Sequence, residues 1–179
     1  MLEGPSAPEG KVLTFDGVAL VRRGDTVLIC YERPARLHRT SWLFDVVDRA
    51  AALAPDGLLG LLVVLDTSDP PDAATRDENA KRLAALGPAA RRLVTVPVGD
   101  EFRVAIVRTL MRSLNLALGH SKDRLVANTI DEGLSRLLEC ASARTPSREQ
   151  LERDLEALYV ALGVAAVGID AGAGGPAQR

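Results

Sequence analysis

Residues 92–138 read RLVTVPVGDEFRVAIVRTLMRSLNLALGHSKDRLVANTIDEGLSRLL, and this stretch decides the fold class. Short apolar runs at 93–98 and 124–127 have the β-branched character of strands, and they alternate with helical patterns at 101–118 and 129–140. Alternating strands and helices are typical of α/β domains. The helix predicted at 101–118 is apolar over most of its circumference, so we expect it to need two apolar neighbours or a partner.

The chain before this stretch predicts the rest of the sheet. Runs at 12–15, 18–22 and 26–31, with the turn Arg23-Gly24-Asp25, indicate an antiparallel meander containing a hairpin. The aliphatic run LLGLLVVL at 58–65 does not alternate with polar residues, which predicts a central strand covered on both faces. Helices are expected from Thr40 or Ser41 to about Leu53, and over residues 73–86 with a start signal at Asp72. For the helix at 129–140, Asn128 or Thr129 is a plausible cap, and Thr129 with Glu132 makes a capping box.

The chain after this stretch predicts one further helix, at residues 145–163. Its apolar residues form a single stripe, and Ser147 with Gln150 resembles a capping box. This helix either packs across its own domain or docks on another subunit or partner. Residues 1–11 are expected to be a flexible N-terminus and the Ala/Gly-rich residues 164–179 a disordered tail. Residues 12–141 are then the main domain.

Composition limits the possible functions. The chain of 179 residues has a net charge of −2, and its arginines are scattered among carboxylates, so nucleic acid and anionic membranes are not favoured partners. Only 3% of residues are aromatic, which predicts an aliphatic core. Two cysteines, Cys30 and Cys140, indicate neither a disulfide framework nor a cysteine-rich metal site. With no apolar run of membrane-spanning length, we expect a cytoplasmic protein.

Taken together, residues 12–140 resemble the STAS domain shared by anti-sigma factor antagonists and sulphate transporters. The resemblance rests on the opening meander, on the strand that ends in Asp66, and on the order of elements from Val94 to Leu138. It implies a mixed β-sheet of four to six strands with helices packed mainly on one face. It also implies a non-catalytic binding module in signalling or assembly, whose partner contacts gather around the loop and helix after Asp66.

Switching members of that family are phosphorylated on a serine at the start of this helix. Here the corresponding stretch offers only Thr75, while Ser68 lies in the preceding loop. A phosphate is favoured near a helix N-terminus, but Asp72, Asp77 and Glu78 would repel it. Thr75 and Ser68 are therefore weak phospho-acceptor candidates, and a member that only binds is the preferred interpretation.

The predicted helix at 101–118 gives a second indication of a contact function. Glu101, Arg108, Arg112 and Asn115 fall on one side at helical spacing, and apolar residues cover most of the remainder. The helix is either wedged between the sheet and the C-terminal helix or presents a self-association or partner face, as in a homodimer. The residues predicted for a partner or self-association surface are Leu110, Met111, Leu114, Leu118, Leu155 and Tyr159.

Other chemistries are less well supported. Arg33, Arg36 and Arg39 could contact an anion, although a solvated basic loop is the simpler interpretation. Asp66, Asp69 and Asp72 lack the spacing of a calcium loop, and His38 and His120 belong to no catalytic motif. No catalytic residue, metal or cofactor is therefore predicted. The alternative function is a small-molecule-binding or enzymatic α/β domain, with its site near Asp66 at the carboxyl ends of the central strands.

Overall fold

The computed structural model describes residues 8–65, 71–117, 119 and 122–164, with only the backbone described for residues 88, 114 and 117. Within these residues, six strands form one sheet in the order in which they occur along the chain. The strands are β1 (Val12–Phe15), β2 (Val18–Arg23), β3 (Thr26–Tyr31), β4 (Leu58–Val64), β5 (Ala90–Pro97) and β6 (Arg124–Val126). The first three strands pair antiparallel, and β3 to β6 pair parallel. The predicted mixed α/β sheet is confirmed.

In the part of the chain that the structure describes, five α-helices connect or follow these strands. They are α1 (Leu37–Ala52), α2 (Ala73–Leu86), α3 (Glu101–Ala117), α4 (Ile130–Leu138) and α5 (Arg148–Leu162), and a short 3-10 helix, Gly87–Ala89, follows α2. Predicted N-caps are present at Asp72, Thr129 and Ser147, each of which accepts a hydrogen bond from a backbone N–H three residues later. Helix α1 begins earlier than predicted, at Leu37, and Arg36 before it provides no side-chain cap.

The helices cover both faces of the sheet rather than mainly one. One apolar cluster joins α1 and the end of α2 to one face, and a second cluster joins α4 and α5 to the other. The side chains of β4 show the reason, because Leu59, Leu61 and Val63 point into the second cluster while Leu58 points into the first. A central strand that is aliphatic at every position needs cover on both faces.

Helix α5 is part of the core. Its apolar stripe is buried against β1, β2 and β3, and the guanidinium of Arg23 donates two hydrogen bonds, of 2.7 and 2.9 Å, to the carboxylate of Asp154. The expectation that Leu155 and Tyr159 form a partner surface is corrected here, because both are almost completely buried. Of the two alternatives for this helix, the structure shows packing across its own domain.

A buried carboxylate joins the segment between α4 and α5 to the sheet. Asp25, at the start of β3, accepts hydrogen bonds from Ser142 (2.7 Å), Thr145 (3.1 Å), Arg91 (2.7 Å) and Thr26 (3.1 Å). Burial alone would raise the pKa of Asp25, but these four donors outweigh it and lower the pKa below its ordinary value of 3.8. The segment between α4 and α5 is thereby fixed to the sheet.

Candidate interaction surface

The position of α3 follows from the exposed edge of the sheet. The N–H of Leu93 donates to the carbonyl of Asp123, and the N–H of Ala127 donates to the carbonyl of Thr95. Because alternate residues of a parallel ladder direct their backbone groups towards the same neighbour, the backbone groups of Arg124 point away from β5. Strand β6 is the last strand of the described sheet, so these outward groups need other partners.

Two polar side chains of helix α3 donate hydrogen bonds to backbone carbonyls at this edge. The amide of Asn115 donates to the carbonyl of Arg124 at 3.0 Å, and the guanidinium of Arg108 donates to the carbonyl of Asn128 at 3.3 Å. Arg108 and Asn115 are seven residues apart, or about two helical turns, so they lie on the same side of the helix. That polar side therefore faces the sheet edge, with Asn115 buried.

Both ends of α3 are defined by local interactions. The carboxylate of Asp100 accepts hydrogen bonds from the N–H groups of Phe102 and Arg103, each at 3.2 Å. After the helix, Gly119 has φ +70 and its N–H donates to the carbonyl of Leu116, which is typical of a helix-ending glycine. The neighbouring His120 lies outside the described residues.

The opposite side of α3 is apolar and exposed. Phe102, Ile106 and Leu110, spaced by four residues, expose 74%, 44% and 45% of their surface, and Leu116 exposes 72%. We call these four residues the α3 outer face. Large exposed apolar side chains that cluster on one element are unusual for a monomer and mark contact sites.

The predicted contact residues of this helix fall into three groups. Leu110 lies on the α3 outer face, as expected, whereas Met111 is half-buried and lies on the inner side. The side chain of Leu114 and all of Leu118 lie outside the described residues. Sequence reasoning did not assign Phe102, Ile106 and Leu116 to the surface, because apolar residues cover most of the circumference of this helix and its inner side was left open. The spacing of Phe102, Ile106 and Leu110 by four residues identifies them as one stripe, but it does not show whether that stripe faces the sheet or solvent.

A groove of about 560 Å³ runs beside β6 between α3 and α4. Arg112, Arg124 and Arg136 line it, together with Glu132. The buried guanidinium of Arg124 donates to the carbonyl of Leu83 in α2, and burial lowers the pKa of Arg124 below the ordinary value of an arginine. Arg124 therefore has a structural role, in that it connects β6 to α2. Arg136 forms ion pairs with Glu132 and Glu139.

The basic loop, which carries Arg33, Arg36 and Arg39, contacts the first hairpin through Asp16. Asp16 accepts hydrogen bonds from Arg33 (3.2 Å), His38 (2.7 Å) and Arg39 (2.9 Å). The bonds from His38 and Arg39 lower the pKa of Asp16 below 3.8. Arg36 donates to the carbonyl of Ala35. The three arginines predicted as anion contacts are thus engaged within the chain.

Of the two phospho-acceptor candidates, Thr75 is buried in the structure and is not presented for modification. Thr75 is 0% exposed, and its backbone N–H donates to the carboxylate of Asp72 at 2.8 Å, which is the largest cause of the lowered pKa of Asp72. Such burial closes the Thr75 hydroxyl to a kinase. Ser68 lies outside the described residues, as do Asp66 and Asp69, so the alternative small-molecule site near Asp66 stays a prediction.

Two further findings concern the described part of the chain. Its His, Cys, Asp and Glu side chains form no group of three that could hold a metal ion. Within the same residues, none of the helices combines the length and apolar character of a membrane span. Comparisons with protein-family models, with curated proteins and with solved structures found no match to this chain.

Proposed function

We propose that this chain is a non-catalytic protein–protein interaction module of STAS-like organisation, which works in cytoplasmic signalling or assembly of the bacterial type. The α3 outer face is its contact surface. The observation that carries the proposal is the orientation of α3, which turns Arg108 and Asn115 towards the sheet edge and Phe102, Ile106 and Leu110 towards solvent.

The physical basis is the cost of apolar surface in water. Fully burying a side chain such as Phe, Ile or Leu contributes about 1.5–3 kcal/mol. Phe102 and Leu116, each more than two thirds exposed, leave most of that contribution unrealised in the isolated chain. A partner that covered the α3 outer face would realise it, and contact residues at positions i, i+4 and i+8 are typical of helix-mediated recognition.

Helix α2 is the less favourable surface. The STAS resemblance directs attention to it, but Thr75 and Leu86 are its buried residues and charged side chains occupy much of the rest. Arg82 forms ion pairs with Glu78 in the same helix and with Asp45 and Asp48 of α1. These ion pairs hold α2 on α1. The apolar α3 outer face is therefore the better candidate for a partner contact.

The test is the native size of the protein in host-cell extract, measured by gel filtration with detection of the chain. We expect elution above the monomer mass of 19.0 kDa for the wild type. Phe102→Glu with Ile106→Glu should shift elution to the monomer position, with an unchanged circular dichroism spectrum. The matched control is Val160→Glu, at a 79% exposed apolar residue of α5, which should elute like the wild type. Wild-type elution of the double variant would contradict the proposal.

A further inference from the structure

The groove beside β6 carries more positive charge than its own carboxylate balances. Its charged lining residues are Arg112, Arg124, Arg136 and Glu132. Arg136 already forms ion pairs with Glu132 and with Glu139. Neither Arg112 nor Arg124 forms an ion pair with any residue that the structure describes. The groove therefore retains the charge of two guanidinium groups.

Arg124 is the less usual of these two arginines, because only 5% of it is exposed. Charged side chains are rarely buried to this extent without a counter-charge. One nitrogen, Nη2, donates to the carbonyl of Leu83, but the buried Nη1 has no hydrogen-bond acceptor among the described residues. The exposed carboxylate of Asp123 acts on Arg124 electrostatically without forming an ion pair with it. A buried cation of this kind favours an anion beside it.

Two hydrogen-bond donors line the same groove. Arg112 is exposed on α3, and its planar guanidinium fork matches the oxygens of a phosphate or carboxylate group. On β6, the backbone groups of Val126, like those of Arg124, point away from β5, and the N–H of Val126 has no acceptor in the described chain. Hydrogen bonds from such donors to an oxyanion are charge-assisted and about twice as strong as neutral ones.

Glu132 is the carboxylate in the lining of the groove, and local donors already engage it. The backbone N–H and the side-chain amide of Asn128 donate to Glu132 at 2.8 and 2.9 Å, in addition to its ion pair with Arg136. These contacts offset the repulsion that Glu132 would exert on an anion at Arg112 and Val126.

We propose that the groove beside β6 binds the phosphate monoester group of a small molecule, held by the Arg112 guanidinium and the Val126 N–H next to the buried charge of Arg124. A phosphate monoester carries a charge of about −1.5 to −2 at neutral pH, so it balances the two guanidinium groups more fully than one carboxylate does. The volume of the groove, about 560 Å³, lies within the range of small-molecule sites, roughly 300–1,000 Å³. Phe102, Ile106 and Leu110 do not line the groove, so the inference goes beyond the proposed function and does not rest on it.

Amide NMR of the purified full chain, titrated with phenyl phosphate, tests the site. The Val126 amide should shift saturably, with a dissociation constant below about 1 mM. Phenyl sulfate has a similar shape but a single negative charge, and it should bind at least about tenfold more weakly. Equal affinity for the two compounds, or a Val126 shift that does not saturate up to about 10 mM phenyl phosphate, would overturn the inference.

Matched arginine variants separate a built site from general attraction of an anion. Arg112→Gln should weaken phenyl phosphate binding about tenfold, because it removes a charge-assisted contact, and its circular dichroism spectrum should stay unchanged. Arg103→Gln removes the same charge from an exposed position of α3 outside the groove lining, and should weaken binding less than about twofold. Equal losses in the two variants would reject the site.

Discussion

The amide of Asn115 donates a hydrogen bond of 3.0 Å to the backbone carbonyl of Arg124, and this contact determines which side of α3 faces solvent. An edge strand exposes carbonyl groups that need donors. A helix that provides them with its polar side must turn its apolar side outwards. The α3 outer face is therefore a consequence of how the edge of the sheet is covered.

Asn115→Ala should destabilise the protein by about 1–3 kcal/mol, because it leaves a buried carbonyl without a partner. Hydrogen exchange of the Ala127 amide, which bonds across β5 and β6 to Thr95, should become faster. Urea unfolding and exchange mass spectrometry measure the two effects. Thr109→Ala, at an exposed position of the same helix, is the control. Unchanged exchange at Ala127 would mean that α3 does not secure the edge.

Asp25 should make the stability of the protein depend on pH in the acid range. The pKa of Asp25 is lowered in the folded state, so its contribution is fully present above the ordinary value of 3.8 and is lost as pH falls through the folded-state pKa. Asp25→Asn should therefore destabilise the protein by about 2–3 kcal/mol at pH 7. The difference from the wild type should shrink below about pH 4. Urea unfolding at pH 7, 5, 4 and 3 tests this, and a constant difference down to pH 3 would contradict it.

Gly133 in α4 should not tolerate a methyl group. A Cβ atom there would lie 2.7 Å from Val96 Cγ2 and 3.0 Å from Leu61 Cδ1. Gly133→Ala should lower the free energy of unfolding by about 1–3 kcal/mol through overpacking, although alanine is the better helix former by about 1 kcal/mol. Ser135→Ala, on the exposed side of α4, should change it by less than about 0.5 kcal/mol. A stabilised Gly133→Ala protein would show that α4 does not pack this closely.

Prediction from sequence was most accurate where local signals, such as helix caps and apolar runs, agree with the burial seen in the structure. The aliphatic run of β4 predicted a doubly covered central strand, and Asp72, Thr129 and Ser147 marked helix starts that the structure contains. These signals depend on residues that are neighbours along the chain. Helix α1 was placed too late, because it begins at Leu37 without the side-chain cap that was expected.

The orientation of α3 was not predictable from its own residues. A helix that is apolar over much of its surface has no preferred inner side until its neighbours are known, and here the neighbour is a strand edge that needs donors. Thr75 gave a comparable difficulty, since a residue in the first turn of a helix can point either way and this one points inwards. For helix α5, the choice between packing on its own domain and docking on a partner could be made only once the second face of the sheet was known to need a covering helix.

Photo-cross-linking in native host cells tests the central claim most directly. A photoreactive amino acid replaces Ile106 on the α3 outer face in one strain and Val160 on α5 in another, both at exposed apolar positions. The account predicts a discrete covalent adduct from position 106 that disappears when Phe102→Glu is added, and no such adduct from position 160. Equal adducts from both positions, or none from position 106, would contradict it.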